Sequence, residues 1–278
     1  MNNIESNYDR GFFQCSGLKK VSATKIKNLG TYSFYLCRGL HNVQLGSKNN
    51  PVESIDSTSF ASCNQADGPI IEIYIDTTNG AKSLVNEPWG ATNSTIKYYS
   101  AQDGNLVDVI LGTQYKGDAT LDITELPDES KITRIRAEAF NGCSSIKLTR
   151  IPAGVTALEG KTFYNCNGLV EMNLQNVESC DNRDLFQCRN LETVIAPKVK
   201  TLGLYTLYNC RKLKTVELGS QYNPVQSIHT QAFDACTQND LTIKVYIAHG
   251  TSSLANEPWG ATNATIEYYD AETDTKIN

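Results

Sequence analysis

An apolar residue followed three positions later by cysteine recurs eight times in this chain: Phe12–Cys15, Phe34–Cys37, Phe60–Cys63, Phe140–Cys143, Phe163–Cys166, Leu185–Cys188, Leu207–Cys210 and Phe233–Cys236. Within each half the cysteines stand 22, 23 or 26 residues apart. A fixed period of this size belongs to a solenoid, in which no single repeat can bury its apolar side and stacking builds the core.

The cysteines anchor further columns. Three residues after them come Leu18, Leu40, Ile146, Leu169, Leu191 and Leu213. Six after come Val21, Val43, Thr149, Met172, Val194 and Val216, and eight after come Ala23, Leu45, Ile151, Leu174, Ala196 and Leu218. This period of two is that of a strand with one buried face. In the longer repeats the strands read as Ile71-x-Ile73-x-Ile75 and Ile243-x-Val245-x-Ile247. Eleven residues before each cysteine the chain is always β-branched, from Ile4 and Ile26 to Val199 and Val225, as suits extended chain. Eight before, the column is mostly aliphatic, with Asn7 in the first repeat. The ninth cysteine, Cys180, falls in that column, so cysteine here reads as a small buried apolar residue. Each repeat is therefore expected to form a strand, a turn, a second short extended piece and a helical turn around the apolar-x-x-Cys.

The chain also contains a duplication. Arg10–Cys37 matches Arg183–Cys210, and the NEPWGATN-S/A-TI-K/E-YY text from Asn86 returns from Asn256. A solenoid end needs a cap. Ser83–Asn86 and Ser253–Asn256 suggest a short helix, Thr95–Tyr99 and Thr265–Tyr269 a closing strand, and Trp89 and Trp259 plugs for the core. Val107–Leu111 and Thr120–Thr124 suggest a hairpin opening the second block. The expected fold is α/β and strand-rich: two tandem blocks of right-handed repeats with strand and helix caps, divided as residues 1–104 and 105–278.

The columns and the Phe-x-x-Cys phrase resemble the BspA-like leucine-rich repeat. RIRAEAFNGCSSIKLTRIPAGVTAL, beginning at Arg134, carries the resemblance best, and it covers nearly the whole chain. It implies a leucine-rich-repeat solenoid and a bacterial secreted or cell-surface protein, engaged in adhesion to host matrix, cells or glycans. The opening MNNIESNYDRG is polar and holds no signal peptide, so the expectation is of such a protein with its leader absent from this chain.

Other classes find little support. Net charge is −5, without a basic stripe, which argues against nucleic acid. No apolar run approaches the roughly 18 residues of a membrane helix, so no membrane insertion is expected. His41, His229 and His249 do not recur with the cysteines, and the cysteines lie a rung apart rather than in a C-x-x-C pattern, so no metal, cofactor or catalytic site is expected. In-register thiols point the same way, which favours free cysteines over disulfides. Asn93 and Asn263 lie in glycosylation sequons but read as turn-forming residues.

What remains is the outward side of the strands. Five and seven residues after each cysteine lie Lys20, Gln44, Arg150, Glu171, Asn173, Ile195 and Glu217, with Glu72, Tyr74, Lys244 and Tyr246 in the longer repeats. Tyr74, Tyr246, Ile195 and Leu148 are apolar for such a face, and aromatic residues are enriched at interfaces. These residues are the candidate face for a protein or glycan of a cell or matrix surface. The expected function is non-enzymatic extracellular recognition or adhesion; the alternative is a structural spacer within a larger surface protein.

Overall fold

The computed structural model describes residues 4–63, 65, 68–113, 126, 128–144, 146, 148 and 150–277. The chain divides into two compact units, Met1–Tyr115 and Lys116–Asn278.

In the first unit, strands Lys20–Ala23, Asn42–Leu45, Ile70–Ile75 and Thr95–Ser100 stack in parallel, one per rung. Their register is the one the columns dictate: Val21 pairs with Val43 and Val43 with Ile71. In the second unit the same ladder runs through Glu171–Asn173, Thr193–Ala196, Thr215–Leu218, Thr242–Ile247 and Thr265–Asp270. Alternate residues face inward and are buried, among them Val43, Ile73, Val194 and Val245. Each such side chain is worth about 1.5–3 kcal/mol of burial. The rung-to-rung ion pairs outside, such as Lys200–Glu178 and Lys214–Glu192, are exposed and worth about 0–1 kcal/mol each. The apolar columns therefore decide the fold.

A narrow second ladder uses two residues per rung: Ser6–Asn7, Asn28–Leu29 and Ser54–Ile55 in one unit, Ala157–Leu158, Ser179–Cys180, Thr201–Leu202 and Ser227–Ile228 in the other. Cys180 lies buried between Leu158 and Leu202, in the aliphatic place its column assigns.

The third side corrects the helical part of the expectation. Among the described residues there is no α-helix, so the fold is a strand-rich solenoid rather than α/β. Around the Phe-x-x-Cys phrase the chain makes tight turns instead. The residue before each cysteine, and in most repeats the one five before it, sits in the left-handed region, for example Tyr32 (φ 51°) and Leu36 (φ 57°), Arg183 (φ 63°) and Gln187 (φ 57°). This alternation turns main-chain N–H groups toward the next rung. Phe34 N–H donates to Ser59 O at 2.7 Å and Leu185 N–H to Thr206 O at 2.9 Å. An α-helix would spend those donors four residues back along its own chain; here they form a third ladder.

The aromatic rings of the phrase stack inside. Phe12, Phe34 and Phe60 follow one another at 5.2 and 5.1 Å, and Phe140 and Phe163 at 5.3 Å. Beside them the cysteines are free thiols, all buried except Cys15. Six of these thiols do more than fill space. Cys37, Cys63, Cys166, Cys188, Cys210 and Cys236 donate to the carbonyl of the apolar residue of the preceding phrase, at 2.8–3.3 Å.

The expected cap helices are absent; Asn86–Gly90 and Asn256–Gly260 are turns. Trp89 and Trp259 are fully buried, as plugs should be. Their indole N–H groups donate to Val85 O at 3.0 Å and Ala255 O at 2.9 Å. Phe60 N–H and Phe233 N–H donate to the two tryptophan carbonyls, so the plug is bonded to the last rung. Gly90 (φ 87°) and Gly260 (φ 90°) follow in the left-handed region. A Cβ on either would come within 2.8 Å of the backbone nitrogen of Ala61 or Asp234. A strand forms at Leu106–Leu111, where one is expected, and pairs antiparallel with Thr95–Ser100. The other arm expected of that hairpin, 120–124, lies outside the described residues.

Candidate binding face

Outward positions of the broad ladder come together within each unit. In the first unit Ser22, Gln44, Glu72 and Lys97 form one register row. Lys20 heads the neighbouring row, opposite Asn42. In the second unit Arg150, Asn173, Ile195, Glu217, Lys244 and Glu267 form one row, with Arg150 joined to Asn173 by a single bridge. Glu171 begins the row beside it, followed by Thr193, Thr215 and Thr242. Lys20, Arg150 and Glu171 are exposed, and the other candidates are half-buried. Leu148 does not belong to this face: it is 1 % exposed. The core column of its repeat holds a threonine, Thr149, and the apolar neighbour is the one buried.

The face is most distinctive where the strands are longest. Tyr74 stacks on Tyr99 with centroids 5.2 Å apart, and Tyr246 lies against Tyr269 at 5.4 Å. Tyr99 and Tyr269 were assigned above only to closing strands. The signal that finds them is parity: in TIKYY and TIEYY the first and third of Ile-x-Tyr-Tyr face inward with Tyr98 and Tyr268, so the last tyrosine must face out with Lys97 or Glu267.

Beside each pair stands an opposite-charge couple, with its sign reversed between units. Glu72 is in register with Lys97, whereas Lys244 is in register with Glu267. Lys244 Nζ lies 5.2 Å from the centroid of Tyr246 and 4.4 Å from that of Tyr269, within cation–π range. Partial burial works to lower its pKa, but the Tyr246 hydroxyl and Glu217 outweigh it, and the ammonium stands above its ordinary value. Burial and the hydrogen bond to Asp274 (2.8 Å) raise the Tyr246 phenol. The patch is thus an aromatic surface with a cation held over its rings.

Among the described residues no group of His, Cys, Asp and Glu is placed to hold a metal ion. No helix among them is long and apolar enough to cross a membrane. The sequon asparagines are structural: Asn93 donates to Gln65 O at 3.1 Å and Asn263 to Thr237 O at 2.9 Å.

Stacked parallel rungs of this period define a leucine-rich-repeat solenoid. The chain belongs to the BspA type leucine-rich repeat family, whose model matches six copies over residues 1–78 and 114–246. Solved structures to which the chain is similar include the pneumococcal vaccine antigen PcpA, 19% identical, with a TM-score of 0.45 over 95% of this chain and 70% of that one. A leucine-rich repeat protein from Eubacterium ventriosum is 18% identical, with a TM-score of 0.44 over 100% of this chain and 83% of that one. One from Bacteroides ovatus is 13% identical, with a TM-score of 0.40 over 99% and 68%. Comparison with curated proteins returns no match.

Proposed function

We propose that this is a non-enzymatic recognition module that binds a macromolecule of a cell or matrix surface through the outward face of its broad ladders. The observation that carries this reading is the duplicated tyrosine pair with its charged couple, Tyr74/Tyr99 with Glu72 and Lys97, and Tyr246/Tyr269 with Lys244 and Glu267. Rigid aromatic surface costs little conformational entropy when it is covered, which is why tyrosine so often anchors interfaces. The BspA-type family supports placing the protein at the bacterial surface or outside the cell.

The test is a screen of the whole protein against matrix proteins, cells and glycans. Any ligand found is then measured against the Tyr74→Ser/Tyr246→Ser variant, with an expected loss of at least tenfold in affinity. Unchanged binding by that variant removes the face from the function. If no ligand emerges, the spacer reading takes its place, favoured by rungs whose backbone and surface charges are already satisfied by one another.

A further inference from the structure

The turn side of each unit carries a second constellation that the strand face does not explain. In the first unit Phe13 stacks on Tyr35 at 4.9 Å, Tyr32 meets Tyr35 edge-on at 5.3 Å, and the Arg10 guanidinium lies 5.6 Å from the Phe13 centroid. In the second, Phe186 stacks on Tyr208 at 4.5 Å, Tyr205 meets Tyr208 edge-on at 5.3 Å, and Arg183 lies 5.6 Å from the Tyr205 centroid. The four residues occupy matching places in the duplicated text. Phe13 is 37 % exposed. Arg10, Phe13, Tyr32 and Tyr35 line an open pocket of about 240 Å³.

We propose that each of these corners is a site for an acidic saccharide, a pyranose ring bearing a carboxylate. Three observations point to that chemistry. First, neither Arg10 nor Arg183 has an ion-pair partner among the described residues, whereas Lys161, Lys200 and Lys214 are each matched to a glutamate a rung away. The adjacent acidic residues are not paired with them: Asp9 accepts from the Thr31 hydroxyl at 2.7 Å, and Asp184 is fully buried, its Oδ1 accepting from Thr162 N–H at 3.3 Å. A guanidinium with free donors is built for a carboxylate. Second, two rings at right angles offer apolar walls to the C–H face of a sugar, and phenol hydroxyls at their rims suit its oxygens. Tyr205 Oη already accepts from Gln231 at 3.0 Å, which leaves its own proton to donate. Third, the main chain here is spent on the next rung, as in Phe12 N–H to Ser33 O (2.7 Å) and Gln14 N–H to Tyr35 O (2.7 Å). An extended peptide would find no backbone to pair with, while a sugar needs only side chains. Net charge of −5 opposes acidic polymers in general, so such binding must come from the site.

The experiment titrates the whole chain with oligogalacturonate and with sialyllactose, against carboxyl-reduced oligogalacturonate and lactose. Binding of at least one acidic probe, at least tenfold tighter than its neutral counterpart and at least tenfold weaker in Arg10→Gln/Arg183→Gln, is expected. Lys25→Gln/Lys198→Gln, the same charge change at exposed matching positions elsewhere, should bind as the parent does. Equal binding of neutral sugars, indifference to the arginine change, poly-glutamate binding as tightly with the same arginine dependence, or no binding of either acidic probe overturns the proposal. Melting temperatures confirm that the variants fold.

Discussion

The thiol of Cys188 donates to the main-chain oxygen of Phe163, 3.1 Å away on the preceding rung. That carbonyl also accepts from Cys166 N–H at 3.2 Å, so the thiol supplies its second hydrogen bond, one that alanine or valine cannot make. Cys188→Ala loses about 1 kcal/mol of apolar burial and one of the carbonyl's two hydrogen bonds, a net of about another 1 kcal/mol. Cys188→Ser keeps a donor and should cost about 1 kcal/mol in all. Urea unfolding distinguishes them: if alanine is no worse than serine, the thiol is packing alone.

The same ladder fixes thiol reactivity. Burial pushes Cys63, Cys188 and Cys236 up to about 12, so almost no thiolate exists near neutrality. Cys15 alone among the nine is exposed. Ellman's reagent at pH 8 should therefore find one fast thiol in the native protein. After denaturation without reductant it should find all nine. A second fast native thiol would show that a rung is open, and fewer than nine on denaturation would reveal disulfides.

Trp259 is fully buried against the last rung, its ring centroid 6.5 Å from that of Phe233. Trp259→Ala should cost about 3–5 kcal/mol, the range for losing a buried aromatic side chain. Tryptophan emission should be blue-shifted and poorly quenched by iodide, since Trp89 is buried as well. Ready quenching in the native state would mean that the plugs do not seat.

The core was legible because burial imposes arithmetic. Val21, Val43 and Ile71 recur at fixed distances from their cysteines, and stacking puts them in register. The turns were not legible, because left-handed backbone was assigned to residues such as Tyr32, Leu36 and Gln187, which carry no glycine-like signal. Spacing of three between Phe and Cys then looks helical, although rung-to-rung bonding forbids a helix. The candidate face was half legible. Alternation identified Tyr74 and Tyr246, but their partners Tyr99 and Tyr269 sat in text set aside as a cap. Leu148 was misplaced because a polar residue occupied its neighbour's column. Phe13, Tyr35, Phe186 and Tyr208 show their stacking only once the turn geometry is known.

Asp184 interrupts a column of hydroxyls. Ser33, Ser59 and Thr206, at matching places, donate to Gly30 O or Gly203 O at 2.7–2.9 Å. Asp184 is fully buried; Thr162 N–H donates to its Oδ1 at 3.3 Å, and its Oδ2 has no protein partner. An ionised carboxylate has no hydrogen to give, so this place favours the acid form. Burial raises its pKa from 3.8 to about 7, against the lowering effect of the Thr162 and Asp181 hydrogen bonds. The sign follows directly. Between those values the folded protein keeps a proton that the unfolded chain has released, so this group's contribution to stability falls as pH rises and is complete only below about 4. From pH 5 to pH 8 the loss should be roughly 3 kcal/mol. Asp184→Thr restores the hydroxyl and removes the titration. It should be more stabilising, relative to the parent, at pH 8 than at pH 5, by about that difference. A stability gap between the two proteins that stays constant over this range would mean that Asp184 titrates near its ordinary value and is hydrated in the fold.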